Sequence, residues 1–286
     1  MKNFTVPHRY LFKFYYIGSN KFYGSQRQLD KYTIEKCLLD VLIKSKYIKN
    51  VDTSGFEVAS RTDKLVSARG AAFSFISQKK PILMEINSIL PTEIGLWAYT
   101  KVDMNFSSRF NALSRHYKYI APVPVSLLKK DFVLNLDIVR KACKELEGKH
   151  NFKNFSKKEK AEKNSIRDID SVDMNVYNGY IIFDFKSKAF LRQQVRRMVK
   201  KLLELGTGII SYSEFLDLFN PSNDFSYQPA DPTGLILWDV EFHDNIKLEV
   251  DSKSAERMKR YFSNQQLKYG HKHQLFGILH QNNIGQ

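Results

Sequence analysis

The segment Ser60-Arg61-Thr62-Asp63 places a carboxylate two residues from a guanidinium, in a stretch rich in turn-forming residues. Residues 56–60 are typical of a strand and a second strand is predicted from Ala71, so Asp63 belongs to the turn-rich connection between them. A carboxylate in that position can act as a nucleophile or as a general base. The same residues also suit an ordinary turn with an arginine–aspartate pair. The segment alone leaves both interpretations open.

Positive charge is concentrated in a second stretch, which has no acidic residue before Glu204. Its basic residues are Lys186, Lys188, Arg192, Arg196, Arg197, Lys200 and Lys201. Apolar residues recur at helical spacing over residues 190–205, and Arg192, Arg196 and Lys200 follow one another every four residues along that predicted helix. Only Lys200 has an acidic neighbour at pairing distance, Glu204. We therefore expect this stripe to contact a nucleic-acid backbone, with a solvated helix face as the alternative.

Other potentially reactive residues favour plain structural interpretations. Cys37 and Cys143 lie on apolar faces of predicted helices and are expected to be inert core thiols. His271, His273 and His280 have no second cluster of ligands, so no metal is expected. No phosphate-binding loop accompanies Gly206, and no cofactor is predicted.

The composition excludes several classes of protein. The chain has 286 residues, and 45 Lys and Arg against 30 Asp and Glu give a net charge of +15. Its 43% hydrophobic content and its many Phe and Tyr residues exclude wholesale disorder. No apolar run reaches the length of about 18 residues that a membrane-spanning helix needs, and no signal peptide is predicted, so a cytoplasmic protein is expected.

The two halves of the chain show a similar alternation of strands and helices. The first half predicts a strand at residues 10–16, a helix at 33–45, strands at 56–60 and 71–76, a helix after Pro81 and a strand at 94–102. This pattern defines an N-terminal unit over residues 1–112.

The second half, residues 113–286, predicts strands at 116–121, 180–185 and 234–242, the middle one buried on both faces. Helices are expected from an Asp137 cap to Gly148, over the basic residues 190–205, and near 254–264 before a polar tail. The lysine-rich residues 149–164 are interpreted as an exposed excursion. The fold class is therefore α+β with two similar subdomains.

A series of short motifs, in this order and spacing, resembles the TruA family of tRNA pseudouridine synthases over about residues 10–242. The motifs are Tyr16-Ile17-Gly18, Phe22-Tyr23-Gly24-Ser25-Gln26-Arg27-Gln28, Ser60-Arg61-Thr62-Asp63, Leu90-Pro91, Phe106-Ser107-Ser108-Arg109-Phe110-Asn111-Ala112, Arg115-His116-Tyr117-Lys118-Tyr119, Phe190-Leu191-Arg192-Gln193-Gln194-Val195-Arg196-Arg197 and Thr233-Gly234-Leu235-Ile236-Leu237. The resemblance implies the pseudouridine synthase fold, with antiparallel and mixed sheets that face or join around a central basic cleft. It also implies a cytoplasmic homodimer that binds tRNA.

The resemblance further implies a reaction and the residues that perform it. The reaction is the cofactor-free isomerisation of uridine to pseudouridine, usually in the anticodon stem-loop of tRNA. Asp63 takes the place of the family's catalytic aspartate, Arg196 that of the basic residue paired with it, and Tyr117 that of the tyrosine that stacks on the target uracil. Arg61 is similar to the arginine that displaces the target nucleotide. Further RNA contacts are expected from Lys64, Arg192, Arg197 and Lys200.

Several positions depart from the family pattern. The family's Ala-Gly-Val-His after the aspartate reads Lys64-Leu65-Val66-Ser67 here, and Ser25 replaces a tryptophan. Ser60 replaces a glycine and Ile17 an aspartate. A non-catalytic RNA-binding protein on the same scaffold is therefore kept as the alternative function. Whether the carboxylate would attack the substrate or remove a sugar proton also stays open.

Overall fold

The strands and helices alternate along the chain in a computed structural model that describes residues 6–121, 134–158 and 164–281. The strands are β1 (His8–Tyr16), β2 (Glu57–Val58), β3 (Ser67–Ser77), β4 (Ile94–Val102), β5 (Ser114–Ile120), β6 (Gly148–Asn151), β7 (Ile166–Tyr177), β8 (Tyr180–Ser187), β9 (Leu235–Glu241) and β10 (Glu249–Val250). The helices are α1 (Ile34–Lys44), α2 (Leu83–Ile89), α3 (Leu136–Glu145), α4 (Gln194–Gly206), α5 (Tyr212–Asp217) and α6 (Ser252–Gln281). The chain is a mixed α+β protein, as predicted.

These strands form one large mixed sheet in the described part of the chain. Its order is β10-β4-β1-β3-β9-β5-β8-β7-β6. The short strand β2 pairs with Phe73 and Ser74 of β3. Neighbouring strands are antiparallel except β3 and β9, which are parallel over a short contact where Ser67 and Ala68 face Ile236 and Leu237. The sheet is therefore continuous, and its two antiparallel parts meet along this short parallel pair.

Each antiparallel part carries helices on an apolar face. The ring of Phe12 on β1 stacks against the rings of Phe73 and Phe75 on β3, at centroid distances of 5.0 and 4.9 Å. These rings belong to the same core as the buried face of α1. In the other part, α3 and α4 pack against each other and α3 packs on β7. Cys37 on α1 and Cys143 on α3 are both buried, and burial raises the pKa of each thiol, that of Cys143 to about 12. Their interpretation as core residues is confirmed.

The N-terminal boundary of α4 differs from the prediction. The helix begins at Gln194, four residues after the predicted start at Phe190, because Gln193 has a left-handed backbone (φ 61°) that a right-handed helix cannot include. Arg192 therefore lies outside the helix. The predicted continuous stripe of Arg192, Arg196 and Lys200 on one helix face is wrong.

Other local predictions also need correction. The side chain of Asn135, and not that of Asp137, caps α3, and the helix ends at Glu145 before Gly148. Strand β8 alternates between buried and partly exposed residues, so it is not buried on both faces. Strands β6, β7 and β10 and helix α5 were not predicted.

The last residues that the structure describes form a long helix, where a polar tail was expected after residue 264. Helix α6 runs over 30 residues, from Ser252 to Gln281. Its first part packs on β4, where Ser254 bonds Asn87 and Arg257 bonds the Tyr15 hydroxyl. In the described residues, no helix is both long and apolar enough to cross a membrane.

Candidate active site

The parallel contact between β3 and β9 positions the predicted site. Because these strands run in the same direction, the loop before β3 and the segment before β9 lie at the same end of the sheet. The first contains Asp63 and the second contains Ala230. The N-terminal turn of α4 lies beside both, since the backbone N–H of Ala230 donates to the carbonyl of Arg196 at 3.0 Å.

Arg196 joins these segments through its side chain. Its Nη1 donates to Asp63 Oδ2 at 2.7 Å, and its Nε donates to the carbonyl of Ala230 at 2.8 Å. The arginine side chain is 9% exposed and the aspartate side chain 33% exposed. No hydrogen-bond partner is present for Asp63 Oδ1 within the described residues. One carboxylate oxygen is therefore held by a guanidinium while the other is free to meet a ligand.

Ser25 holds the backbone directly before Asp63. Its N–H donates to the carbonyl of Thr62 at 3.1 Å, and its Oγ accepts from the N–H of Thr62 at 2.6 Å. Gly24 approaches the same loop so closely that an added Cβ would lie 3.1 Å from the Thr62 carbonyl oxygen, and its φ of +87° suits glycine. The Tyr16 hydroxyl bonds Thr62 Oγ1 at 2.7 Å. A tryptophan could make the backbone bond, but its indole has no acceptor for the Thr62 N–H, so the bond to Oγ depends on the serine.

Leu65 stands where the family pattern has glycine, and its φ is +70°. A leucine in the left-handed region carries a strain of about 1–2 kcal/mol. The loop therefore keeps a backbone conformation that glycine would adopt freely, even though the glycine itself is absent. Gly18 lies against this turn, because an added Cβ there would overlap the carbonyl of Leu65.

Tyr117 lies on β5, between Leu237 of β9 and Phe185 of β8 in the sheet register. Its ring meets the Phe190 ring edge to face, with centroids 5.3 Å apart. Only 7% of Tyr117 is exposed, and burial, reinforced by the charge of Asp63, raises the pKa of its hydroxyl to about 12. The side chain therefore presents a neutral aromatic surface near the carboxylate.

Arg115 fixes the loops around Tyr117, although its motif suggested no role for it. Its guanidinium donates to the carbonyls of Ala59 (2.9 Å), Arg109 (2.6 Å) and Lys188 (2.5 Å), which belong to three different loops. It is 8% exposed, and burial lowers the pKa of the guanidinium. Its side chain makes no ion pair in the described residues, so its charge is balanced by carbonyl dipoles.

A cavity of about 1520 Å³ opens beside the Asp63–Arg196 pair. Six of the eight residues predicted for the site line it: Arg61, Asp63, Lys64, Tyr117, Arg192 and Arg196. Neither Arg197 nor Lys200 is among the described residues that line it. Arg197 lies over the Tyr227 ring at 5.0 Å, and Lys200 pairs with Glu204 at 3.2 Å.

Several further cations line the cavity that the sequence did not single out. They are Arg109, Arg115, Lys153, Lys157, Lys158 and Arg167. Lys153, Lys157 and Lys158 belong to the lysine-rich stretch predicted as an exposed excursion. All three are exposed, but Phe152 and Phe155 of the same stretch are buried in the core, so the prediction of a wholly exposed segment is wrong. The N–H of Lys157 donates to the carbonyl of Arg192 at 2.9 Å, which brings this stretch to the cavity. The density of lysines in this stretch was the sequence signal for RNA binding, but it does not show that the stretch lies at the cavity. Of the other lysines of that stretch, Lys149 lies on β6, and Lys160 and Lys163 lie outside the described residues.

The arrangement suits chemistry on an anionic, planar ligand. A carboxylate oriented by arginine can act on a sugar carbon or a sugar proton, an aromatic ring can contact a base, and surrounding cations can hold phosphates. The cavity is large enough for at least one nucleotide, since ligand pockets span about 300–1,000 Å³.

Comparison with known proteins agrees with this chemistry. A family model described as tRNA pseudouridine synthase matches residues 142–243. The chain is 33% identical over 277 residues to tRNA pseudouridine synthase A of Archaeoglobus fulgidus, which covers 96% of this chain and 99% of the relative.

The enzymes of the same name from Methanosphaera stadtmanae and Thermococcus sibiricus are 38% and 33% identical. They cover 87% and 91% of this chain, and 88% and 94% of their own lengths. Similarity of this extent spans both parts of the sheet. The chain therefore belongs to the TruA family of tRNA pseudouridine synthases.

Proposed function

We propose that this protein isomerises uridine to pseudouridine in the anticodon stem-loop of tRNA, with Asp63 as the catalytic carboxylate. The observation that carries the proposal is the 2.7 Å ion pair that holds Asp63 against Arg196 at the cavity. The names of the relatives, which are tRNA pseudouridine synthases, support the same reaction class.

The reaction breaks the C1′–N1 bond, turns the uracil and forms a C5–C1′ bond. N1 gains a proton and C5 loses one, so atoms and electrons balance without a cofactor. Asp63 Oδ1 can act as a nucleophile on C1′ of the sugar or on the uracil ring, or it can remove the C2′ proton to give a glycal, and both kinds of route need the open carboxylate oxygen. Arg196 orients the carboxylate in either route.

Tyr117 has a different role in this proposal. The detached uracil must stay in the pocket while it turns, and an aromatic face retains a base that has left its stack. The raised pKa of Tyr117 keeps its hydroxyl neutral, so the tyrosine adds no negative charge near Asp63. Phe190 supports the ring from its edge.

The proposed RNA-binding surface lacks two of the residues predicted from the sequence and contains several that were not predicted. It includes Arg61, Lys64 and Arg192, excludes Arg197 and Lys200, and adds Arg109, Lys153, Lys157, Lys158 and Arg167. Their common position around one cavity supports a basic cleft between two subdomains, residues 1–112 and 113–286. In this proposal, β10 and α6 return from the second half to pack on the first.

The decisive experiment measures tritium release from tRNA labelled at uridine C5, because the proton at C5 is lost only when the new bond forms. The unmodified protein should release tritium, while Asp63→Asn should bind the same tRNA and release none above background. Asp52→Asn, an exposed aspartate of a neighbouring turn, is the matched control and should remain active.

Background release from both the unmodified protein and Asp63→Asn would contradict the proposal. It would instead favour the non-catalytic RNA-binding function. A homodimeric state, a cytoplasmic location and independence from metal ions remain predictions of the family resemblance.

A further inference from the structure

An exposed aromatic ring lies at the rim of the cavity, next to the loop of Asp63. Tyr23 is 44% exposed and lines the cavity. Its backbone is held on both sides, because its N–H donates to the carbonyl of Tyr32 at 2.8 Å and its carbonyl accepts from Gln28 Nε2 at 2.8 Å. The exposed ring therefore projects from a fixed piece of backbone.

Two lysines from different loops converge on this ring. The ammonium groups of Lys31 and Lys64 lie 4.6 and 4.5 Å from the ring centroid of Tyr23. Neither lysine takes part in an ion pair among the described residues. Two positive charges gathered at one ring, neither in ion-pair contact with a carboxylate of the described residues, leave local charge for an anion to neutralise.

Close backbone contacts hold the segment of Tyr23 against the loop of Asp63. Gly24, the residue after Tyr23, lies against the Thr62 carbonyl and the Lys64 N–H. The backbone N–H of Ser25 donates to the Thr62 carbonyl, and its Oγ accepts from the Thr62 N–H. Tyr23 is therefore beside the catalytic carboxylate and not at a remote part of the surface. A ligand that contacts Tyr23 would extend directly from one bound at Asp63.

A nucleotide combines the two features that this rim can recognise. Bases stack on aromatic faces regardless of their identity, and lysine ammonium groups bind phosphates. The long lysine side chains can move from the ring to a phosphate when a base takes their place. Tyr23 is also too exposed to serve as a core residue, so packing does not explain its position.

We propose that Tyr23, Lys31 and Lys64 form a second nucleotide subsite, which stacks the base next to the target uridine and binds its phosphate. The subsite would hold the RNA strand open while the target base is in the pocket. This inference rests on the proposed function, because it names the neighbour of the uridine that Asp63 acts on.

The first test replaces the ring. Tyr23→Ala should raise the KM for tRNA about 5- to 30-fold, as expected for the loss of one base stack, with a smaller effect on kcat. Tyr23→Phe keeps the aromatic face and should recover most of the loss. Tyr177→Ala removes a tyrosine that is 65% exposed at the end of β7, and it should leave the KM unchanged.

The second test changes the RNA, so it does not depend on how the variant folds. A tRNA substrate is assembled with an abasic residue on the 5′ side or the 3′ side of the uridine that the unmodified protein converts. One of the two abasic substrates should raise the KM of the unmodified protein about 5- to 30-fold, yet raise that of Tyr23→Ala less than twofold. Such coupling identifies the base that Tyr23 contacts.

Two outcomes would overturn the subsite. One is an unmodified protein that converts both abasic substrates normally, and the other is an abasic penalty that is equally large in Tyr23→Ala. Either result requires an active unmodified protein. Failure of the proposed function is distinct, since the unmodified protein would then form no pseudouridine in any tRNA.

Discussion

At the scale of single residues, the departures from the family pattern are compensated by local geometry. Ser25 replaces an aromatic residue and binds Thr62 through its backbone and its side chain. Leu65 replaces a glycine and takes the left-handed conformation that a glycine favours. The loop around Asp63 thus has a defined shape despite its unusual sequence, which favours the catalytic interpretation over the non-catalytic one.

The strain at Leu65 can be tested by changing its side chain. Leu65→Val should lower the free energy of unfolding by about 1 kcal/mol or more, because a β-branched residue tolerates a positive φ worse than leucine does. Leu65→Gly should change it by less, because relief of strain offsets the lost packing and the greater flexibility of the unfolded chain. Urea denaturation followed by circular dichroism gives both values. Equal stability of the two variants would show that the loop does not need this conformation.

At the scale of elements, the two antiparallel parts of the sheet depend on a short contact between β3 and β9. A partly buried ion pair reinforces this contact, since Lys13 of β1 reaches across β3 to Asp239 and to the carbonyl of Val240 on β9. Gly70 of β3 leaves the space, because a Cβ there would lie 2.3 Å from Asp239 Oδ1. Burial lowers the pKa of the Lys13 ammonium, and the charge of Asp239 opposes that shift.

Removal of this ammonium should weaken the junction. Lys13→Met leaves Asp239, whose side chain is 34% exposed, without its partner and should lower the free energy of unfolding by about 2 kcal/mol. Lys36→Met breaks the exposed pair with Asp40 and should cost less than about 0.5 kcal/mol. The measurement is the urea midpoint at a constant m value. A Lys13→Met protein as stable as Lys36→Met would mean that the pair contributes nothing to the junction.

At the scale of the whole molecule, the net charge of +15 is not spread evenly with respect to the cavity. Lysines and arginines from both halves of the chain line it, while Lys200 is paired with Glu204 away from it. The charge around the cavity matches what a folded RNA requires of a binding surface, because phosphate contacts supply most of the affinity and little of the sequence specificity.

The salt dependence of tRNA binding distinguishes the basic residues that line the cavity from those that lie away from it. Arg192→Ala should weaken binding and reduce the slope of log K against log salt concentration by about 1, since one phosphate contact is lost. Lys200→Ala should leave the slope nearly unchanged. Filter binding over a series of salt concentrations measures both slopes. Equal slopes for the two variants would indicate that Arg192 does not contact RNA.

The sequence by itself determined the family, the α+β class and most strand and helix positions. These features follow from local periodicity and from ordered motifs, which depend on residues close together in the chain. It also proposed Asp63 and Arg196 as a pair, because the motifs around them are short and continuous, and the two side chains do bond each other. Helix α4 began later than predicted, since periodicity does not register the left-handed backbone of Gln193.

Only the tertiary structure decided which basic side chains lie at the cavity. Asp63 and Arg196 are 133 residues apart in sequence, and the parallel β3–β9 contact brings their segments to one end of the sheet. The same fold places Lys157 at the cavity and Lys200 away from it, although both lie in similarly basic stretches. Charge density is a property of sequence, but the direction a side chain faces is set by long-range strand pairing. For this protein the sequence therefore predicts the type of reaction, and the pairing of strands in the sheet determines which side chains surround the reaction site.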